Sequence, residues 1–512
     1  MVLDMPSMPM ESRMQPHYDD RVVNLNDCTT AMANTVKRPI NLLLGWPSAS
    51  LYPSTQLLQG ASTIVHSETK SVEALVYGPD KGYAPLRARI ATWLSHVFSP
   101  GEDEPVSADR ICISNGASAN LGNILTKFTE PGYTRAIWMV EPCYFLACPI
   151  FTDAGFQGRL RGVPEDEEGL DIEFLRSALE KMEAGQHPDA PTLKTHQRYP
   201  KLYKHVVYAV PSFSNPSGKT MSLRRRQELV RLAREYDALI VTDDVYDVLR
   251  WPKSPSAKVS KLGPIPPRIV DVDRLLDGGP KDDWGNSVSN GSFSKLIAPG
   301  VRTGWAEGTQ SFALALSTVG ATRSGGSPSH FTASFIDEMM ASGDFQTHLH
   351  DKIIPAYRSR YNAMHEAIEK YLIPSGFGVS TGLPYETTHE GGTSSRQSYA
   401  VAAGGYFAYL MIPPDLPLSA TELADLALEK YNLKVAIGTN MVVEGDEGSI
   451  DRANKGYGNG IRLCWAWHTC DEIVEGIERL EELVREVKRT ARCRLAPLLS
   501  TTDVYTSYFF DA

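Results

Sequence analysis

The sequence predicts an α/β fold: a large domain with a mostly parallel sheet flanked by helices, followed by a smaller α+β domain at the C-terminal end. Two observations support this prediction. From about residue 105, short apolar runs alternate with longer helical stretches, and such strand–helix–strand alternation is typical of a parallel sheet covered by helices on both faces. After about residue 350 the alternation is replaced by helix-capping motifs and short strand candidates, which is typical of an α+β unit.

The buried strands of the large domain are predicted from apolar runs that end in polar residues, glycine or proline: 111–114, 136–140, 206–210 and 239–242. Residues 222–237, between the last two runs, are predicted to form a helix with Ser222 as its N-cap. In sheets of this kind, ligands bind at the carboxyl ends of the strands. The polar residues that follow the strands are therefore the candidates for a functional site.

The smaller domain is predicted from two capping boxes, Ser-Ala-Thr-Glu at 419–422 and Thr-Cys-Asp-Glu at 469–472. The second box begins a helix with one apolar stripe, formed by Ile473, Ile477, Leu480 and Val484. Residues 406–412 and 460–465 are strand candidates between the two helices.

The chain is predicted to divide into an N-terminal arm (1–37), an N-terminal segment with the large domain (38–350), a small C-terminal domain (351–490) and a C-terminal tail (491–512). Three segments rich in Pro, Gly, Ser and charge are predicted to be surface insertions: 185–204, 252–290 and 381–402.

Composition restricts the possible function classes. The net charge of −10 over 512 residues disfavours nucleic acid as the main partner, and no apolar run reaches the roughly 20 residues of a membrane helix. The seven cysteines include no Cys-x-x-Cys pair and follow no secretory leader, so we expect reduced thiols and a cytoplasmic protein. No His-Glu-x-x-His motif or Cys/His cluster indicates a metal.

The most informative motif lies at residues 291–295 (Gly-Ser-Phe-Ser-Lys), followed by an arginine in 299–305 (Pro-Gly-Val-Arg-Thr-Gly-Trp). The amine of Lys295 can form an imine with an aldehyde cofactor, and nearby hydroxyls with an arginine can hold a phosphate. The same residues satisfy Ser-x-x-Lys, the signature of penicillin-binding serine enzymes. That family also carries Ser-Asp-Asn and Lys-Thr-Gly, and neither occurs in this chain.

Polar or aromatic residues follow each predicted strand of the large domain. A small-residue turn, 115–120, follows the first strand and leads into a helix, whose free N–H groups suit a phosphate. Taken alone, this motif is better explained as a plain tight turn. Tyr144 follows the second strand, and Asn215 lies in the turn after the third. Asp243 and Tyr246 follow the fourth. A carboxylate at the end of a buried strand is costly unless it meets a cation, which favours a functional role for Asp243.

Together these motifs resemble the aspartate aminotransferase superfamily, the fold-type I, class I/II enzymes that use pyridoxal phosphate. The resemblance extends from about residue 40 to residue 485. Within the superfamily, the chain is most similar to the kynurenine/2-aminoadipate aminotransferase branch. Its most specific parts are Asn-Pro-x-Gly at 215–218, Asp-x-x-Tyr at 243–246, and Ser-x-Ser-Lys at 292–295 with an arginine seven residues later. The resemblance implies an enzyme that moves an amino group from an L-amino acid to a 2-oxo acid.

The resemblance also implies catalytic roles. Lys295 would hold the cofactor as a Schiff base and, once displaced by the substrate, would act as the general base. Asp243 would pair with the pyridine nitrogen and keep it protonated. Asn215 and Tyr246 would hydrogen-bond the phenolic oxygen of the ring.

Further residues are implied for the phosphate, the ring and the substrate. The phosphate group would be held by Gly116, Ala117, Ser118, Ser292, Ser294 and Arg302. Tyr144 would stack on the ring, and Tyr77 would reach the phosphate of a neighbouring subunit, which implies a homodimer with shared active sites. Arg462 would bind the α-carboxylate of the substrate beside Asn215, and the backbone of Gly45 would approach the substrate. Three aromatic residues are candidates for an aromatic-tolerant pocket, although core packing explains them equally well: Trp46, Tyr52 and Trp465.

The chain departs from the family at the phosphate turn, which has Gly-Ala-Ser where relatives often have Gly-Ser-Gln. Ala117 can therefore offer only its backbone N–H. Carbon–sulfur lyases and β/γ-elimination or replacement enzymes share the lysine, aspartate and arginine, so they remain alternatives to transamination. A transcription regulator with an aminotransferase-like domain is disfavoured because the residues before Arg38 are too few for a helix-turn-helix domain.

Overall fold

A computed structural model describes residues 37–98, 105–385 and 399–499, with side chains up to residue 491. The predicted N-terminal arm thus lies almost wholly outside the described residues, as do residues 386–398 and 500–512. The described strands are β1 Ile40–Asn41, β2 Ile111–Ser114, β3 Ala136–Glu141, β4 Leu160–Asp166, β5 Gly169–Leu170, β6 His205–Ala209, β7 Ala238–Asp243, β8 Arg250–Pro252, β9 Ser287–Ser292, β10 Gly304–Glu307, β11 Gly378–Val379, β12 Ala402–Gly404, β13 Phe407–Met411, β14 Leu433–Lys434, β15 Ala436–Ile437 and β16 Gly460–Cys464.

The α-helices cover both faces of the large sheet and one side of the small one. They are α1 Ser54–His66, α2 Glu68–Leu75, α3 Ala84–Phe98, α4 Ala117–Phe128, α5 Cys148–Phe151, α6 Ile172–Glu183, α7 Leu223–Glu235, α8 Ile269–Leu275, α9 Gln310–Ser317, α10 Gly320–Gly325, α11 His330–Ala341, α12 Asp344–His348, α13 Ile354–Ala367, α14 Ala420–Tyr431, α15 Glu447–Lys455 and α16 Cys470–Leu499.

The large sheet has eight strands in the order β2-β10-β9-β7-β6-β3-β4-β5. Strands β9, β7, β6, β3 and β4 are mutually parallel, β10 runs antiparallel between β2 and β9, and β5 runs antiparallel to β4. The carboxyl ends of β2, β9, β7, β6 and β3 therefore meet at one edge, which is where sheets of this kind bind ligands.

Two apolar layers cover the faces of this sheet. Val241 of β7 belongs to the layer that contains Leu121 of α4 and Phe312 of α9, whereas its neighbour Ile240 belongs to the layer of Leu175 of α6 and Leu229 of α7. Successive residues of a strand point to opposite faces, so a strand covered on both sides is apolar throughout. The prediction of a mostly parallel sheet flanked by helices is confirmed.

The smaller sheet has four strands in the order β11-β13-β16-β15, all antiparallel. Both predicted capping boxes form: Ser419 and Glu422 cap each other at the start of α14, and Glu472 Oε2 accepts a bond of 3.0 Å from the backbone N–H of Thr469 at the start of α16. The predicted stripe of α16 is fully buried, and it comprises Ile473, Ile477, Leu480 and Val484. Strand β1 pairs in parallel with β14, which brings the segment after Asn41 beside this sheet.

Every predicted strand is present, and each of its ends lies within one residue of the predicted bound. Within the segment 252–290 the expectation of an insertion without core elements is wrong. Residues 269–275 form α8, and β9 begins at Ser287, because Arg268 and Asp271 form a capping box and Ile269 is buried against α7. Segment 185–204 has neither helix nor strand.

The end of the chain also differs from the prediction. Helix α16 continues to Leu499, past the predicted domain boundary at residue 490, and the rest of the predicted tail lies outside the described residues. No helix in the described part of the chain is long and apolar enough to cross a membrane.

Candidate active site

The register of three strands brings the predicted phosphate residues together. Gly304 of β10 lies opposite Ser114 of β2 on one side and Ser292 of β9 on the other. Three segments are therefore adjacent: the turn after β2, the turn after β9 and the residues just before β10. A Cβ on Gly304 would lie 3.3 Å from the Cα of Gly116, so the three backbones approach closely at this point.

A cradle for an anion lies at the start of α4. Gly116 is the N-cap of α4, with a φ of 101°, and a Cβ there would lie 2.6 Å from the Nη2 atom of Arg302. Arg302 is exposed, and its Nη2 atom donates to the carbonyl oxygen of Asn115 at 3.0 Å. Ser118 is exposed in the first turn of α4. The free N–H groups of a helix start beside a guanidinium suit a phosphate group.

Two serines extend this cradle from β9. The hydroxyl of Ser292 donates to the Oγ atom of Ser294 at 2.9 Å and accepts a bond of 3.1 Å from the backbone N–H of Ser294. The Ser-x-x-Lys mechanism requires a hydrogen bond between Ser292 and Lys295. The hydroxyl of Ser292 is instead bonded to Ser294. The described geometry gives no support to that alternative.

A pair of buried asparagines fixes the start of α4. The amide of Asn290, in β9, donates to the carbonyl oxygen of Ala117 at 2.9 Å, and the amide of Asn120 donates to the Oδ1 atom of Asn290 at 2.8 Å. These asparagines couple α4 to the strand that carries the serines. Sequence reasoning missed Asn290, because the residue lay at the end of a segment predicted to be an insertion.

Asp243, the last residue of β7, has one engaged and one open oxygen. Its Oδ2 atom accepts a hydrogen bond of 3.0 Å from the hydroxyl of Tyr208, whereas the buried Oδ1 atom has no hydrogen-bond partner among the described residues. Burial raises the pKa of Asp243 to about 6, and the bond from Tyr208 opposes this rise. A buried acceptor without a donor is costly, so this oxygen fits a protonated ring nitrogen.

Lys295 lies at the start of the turn after β9, beneath the segment that follows β1. Its Nζ atom donates to the carbonyl oxygen of Gly45 at 3.0 Å and lies 5.4 Å from the centre of the Tyr406 ring. Burial lowers the pKa of Lys295 to about 8, and the charge of Arg462 adds to this effect while that of Asp243 opposes it. Roughly a tenth of the amine is then unprotonated at pH 7, and the unprotonated amine is the nucleophilic form.

Arg462, on β16, connects the small sheet to the large one. Its Nη1 atom donates to the Oδ1 atom of Asn215 at 2.8 Å, and its Nη2 atom donates to the carbonyl oxygen of Leu43 at 2.7 Å. The guanidinium lies over the Phe407 ring, 4.2 Å from its centre, and its buried Nε atom has no partner in the described part of the chain. Because Asn215 uses its oxygen here, its amide nitrogen remains the donor.

The predicted tyrosines lie in three different settings. Tyr246 is buried and packs against the rings of Tyr406 and Phe407, with centres 5.2 and 6.0 Å away. Tyr144 follows β3 and is partly buried. Tyr77, between α2 and α3, is 87% exposed, so this side chain is accessible to another molecule.

The candidate pocket aromatics separate into two groups. Trp465 is 1% exposed and packs in the core against Trp251 and Tyr361, so of the two explanations core packing applies to it. Trp46 is half exposed and contacts the Trp467 ring edge-on at 6.3 Å.

The residues present fit a cofactor that carries both an aldehyde and a phosphate: an amine of lowered pKa, a cradle that requires glycine, and an open buried carboxylate oxygen meet at one edge of the sheet. A metal is not supported in the same way, since no group of three or more metal-ligating side chains occurs among the described residues.

Comparison with known proteins agrees with this geometry. The family model for aminotransferase class I and II matches residues 53–390. The chain is 36% identical to the uncharacterized protein YER152C of Saccharomyces cerevisiae, over 86% of this chain and 96% of that protein. It is 27% identical to aromatic-amino-acid aminotransferase 1 of Thermococcus litoralis, over 87% and 88% of the two chains. The chain belongs to the class I and II aminotransferases.

A solved structure extends the agreement to the fold. The multiple substrate aminotransferase of Thermococcus profundus is 25% identical, with a TM-score of 0.66 over 88% of this chain and 92% of that one. These comparisons confirm three expectations from the sequence: the fold-type I architecture, the aminotransferase activity and the use of pyridoxal phosphate. When bound, the cofactor supplies an aldehyde that condenses with amines and a ring that takes up the electrons released when a proton leaves Cα.

Several residues of this site carry no sequence signal of their own. Asp243 is contacted by Tyr208, Lys295 by Tyr406, and Arg462 by Phe407. None of the three belongs to a spaced motif. Their contacts depend on strand register and on the packing of the small sheet against the large one.

Proposed function

We propose that this aminotransferase takes its amino group from a large, uncharged L-amino acid, including aromatic ones, and passes it to a 2-oxo acid. Arg462 binds the α-carboxylate, for which its fork of donors is suited. Lys295 would take the proton from Cα with its Nζ atom and deliver it to C4′ of the cofactor, and it would carry the proton in the opposite direction in the second half-reaction. The observation that supports this assignment is that both side chains donate to one short segment, through the carbonyl oxygens of Leu43 and Gly45.

That segment supports the proposed substrate class. Because residues 43–45 contact both the carboxylate-binding arginine and the reactive amine, the side chain of a bound amino acid would lie near them. Leu43 is 38% exposed and Trp46 is 48% exposed, with Trp467 beside the latter. Apolar and aromatic surface of this kind favours a large uncharged side chain. The relative from Thermococcus litoralis is named for aromatic amino acids, which supports the same class.

We propose for the remaining site residues the roles that the family resemblance implies. Asp243 keeps the ring nitrogen protonated, Asn215 and Tyr246 hold the phenolic oxygen, and Tyr144 stacks on the ring. The phosphate is held by Gly116, Ala117, Ser118, Ser292, Ser294 and Arg302.

The proposed assembly is a cytoplasmic homodimer with shared active sites. The exposure of Tyr77 supports a contact from this residue to the phosphate of a second copy. The cysteines whose side chains the structure describes are free thiols, which supports a reducing compartment.

A panel of amino donors with one common 2-oxo acid tests the substrate class. We expect kcat/KM to be highest for phenylalanine, tyrosine, tryptophan and leucine, and at least about tenfold lower for aspartate. Trp46→Ala should reduce the preference for aromatic donors, and Trp465→Phe, a change in the core, should not. Equal rates for aspartate and phenylalanine would refute the proposed class.

A second measurement separates amino transfer from elimination. Amino acids supplied without an acceptor should give at most one product per active site. Continued release of pyruvate and ammonia under those conditions would show lyase activity.

A further inference from the structure

The hydroxyl of Tyr208 lies in an otherwise apolar setting. Tyr208 is 3% exposed in β6, and the layer around it contains Met139, Phe151 and Val241. The ring of Phe151 contacts it edge-on at 5.7 Å. A phenylalanine would satisfy this packing equally well, so the packing does not explain the hydroxyl.

The partner of this hydroxyl is the Oδ2 atom of Asp243, at 3.0 Å. Strands β6 and β7 are paired with Tyr208 opposite Val241, so the phenol reaches diagonally to the residue at the strand end. Burial raises the pKa of Tyr208 well above its ordinary value, so the phenol stays neutral and donates its proton. A donor fixed on one oxygen also fixes the plane of the carboxylate and the direction of the other oxygen.

We propose that Tyr208 is a positioning residue for the ring nitrogen of the cofactor: by holding Oδ2 of Asp243, it directs the unpartnered Oδ1 into the site. This inference rests on the role proposed above for Asp243. The hydrogen bond also favours the ionised carboxylate, the form that pairs with a protonated nitrogen. Without Tyr208, the carboxyl group would be free to rotate and would be protonated more easily.

The test compares pyridoxal phosphate with 1-deazapyridoxal phosphate, in which C–H replaces the ring nitrogen. Holoenzyme is equilibrated with the analogue, and the ratio of the two bound compounds gives the ratio of their dissociation constants. A residue that only stabilises the fold affects both compounds equally and leaves this ratio unchanged. A residue that acts on the ring nitrogen changes the ratio.

For Tyr208→Phe we expect the preference for pyridoxal phosphate over the analogue to fall about tenfold, which corresponds to ~1.4 kcal/mol. Tyr203→Phe is the matched control, because Tyr203 is equally buried and donates to the carbonyl oxygen of Gly285 at 2.6 Å; its ratio should equal that of the wild type. An unchanged ratio in Tyr208→Phe would overturn the inference.

Asp243→Asn separates this inference from the proposed function. If Asp243→Asn lowers the ratio and Tyr208→Phe does not, only the role of Tyr208 fails. If Asp243→Asn leaves the ratio unchanged, the proposed role of Asp243 fails as well.

A measurement on the unsubstituted tyrosine covers the case in which Tyr208→Phe does not fold. In holoenzyme labelled with ¹³C at the tyrosine Cζ atoms, the resonance assigned to Tyr208, as distinct from those of Tyr144 and Tyr246, should move on Asp243→Asn and also when the analogue replaces pyridoxal phosphate. The absence of such a shared resonance would contradict the inference.

Discussion

Replacing Lys295 with methionine should make the cofactor-free aminotransferase more stable at neutral pH, and this gain should disappear in strongly alkaline solution. Burial lowers the pKa of Lys295 from 10.5 to about 8, so the native state binds the proton less tightly than the unfolded state does. Below pH 8 the folded protein carries the full cost of the buried charge, and above pH 10.5 it carries none. Methionine has a similar length and no charge, so it removes this cost.

The magnitude follows from the two pKa values. At 1.36 kcal/mol per pKa unit, the difference corresponds to about 3 kcal/mol, which is an upper limit because the side chain is only partly buried. Methionine also loses the hydrogen bond to the carbonyl oxygen of Gly45, which costs about 1 kcal/mol at any pH. We therefore expect a net gain of about 1–2 kcal/mol at pH 7 and a net loss of about 1 kcal/mol near pH 11.

Urea unfolding of the cofactor-free proteins at the two pH values measures this difference. Lys455→Met is the matched control: Lys455 is 73% exposed and pairs with Asp451 one helical turn away, so its free energy of unfolding should change by less than about 0.5 kcal/mol at either pH. A gain for Lys295→Met that is equal at both pH values would refute the reasoning, because a packing effect does not depend on the titration of the amine.

Three further changes test other parts of the site. Gly116→Ala should weaken cofactor retention on dialysis at least tenfold, since a φ of 101° is rare for alanine and its Cβ would lie 2.6 Å from Arg302; retention equal to the wild type would contradict the proposed cradle. Arg462→Lys should lower kcat/KM about 10- to 100-fold, because one ammonium cannot replace a fork of donors. A loss of kcat/KM smaller than that caused by an Arg→Lys change at an exposed position would contradict the carboxylate-binding role of Arg462. For Asp247, burial beside Asp244 raises the pKa from 3.8 to about 7, so native stability is lost as the pH rises from 3.8 to 7. Asp247→Asn should therefore unfold at higher urea than the wild type at pH 9 and not at pH 3, and an equal shift at both would exclude titration as the cause.

The chemical centre of the site could be predicted because its residues follow the strands of a recognisable sheet. Asp243 lies directly after an apolar run and Asn215 lies in the turn after another, and the carboxyl ends of parallel strands meet in space whatever the loops do. The cradle at Gly116 was predicted for the same reason. A strand and the turn that follows it are adjacent in sequence, so the polar residues of that turn can be identified before the fold is known. Lys295 was identified from its own motif, Gly-Ser-Phe-Ser-Lys at 291–295.

The contacts among the site residues could not be predicted, because the partners are distant in sequence. Arg462 meets Asn215 across 247 positions, and Lys295 meets Gly45 across 250. Tyr208 carries a hydroxyl in a strand whose pattern reads as uniformly apolar. Helix α8 was missed because its flanking prolines and glycines resemble an insertion, whereas the buried pair of Arg268 and Asp271 organises it as a helix.

The candidate active site contains polar groups that a protein core would not normally leave unpaired. Buried polar atoms normally find partners within the protein, yet Asp243 Oδ1 and Arg462 Nε have none among the described residues, and Lys295 is buried at a cost to stability. Each of these atoms belongs to a side chain that we propose acts on the cofactor or the substrate. A protein selected for stability alone would satisfy or remove them. Under the proposed roles, a protonated ring nitrogen, a carboxylate and an aldehyde offset this cost, so the residues that destabilise the cofactor-free protein are the ones that select the cofactor and the substrate.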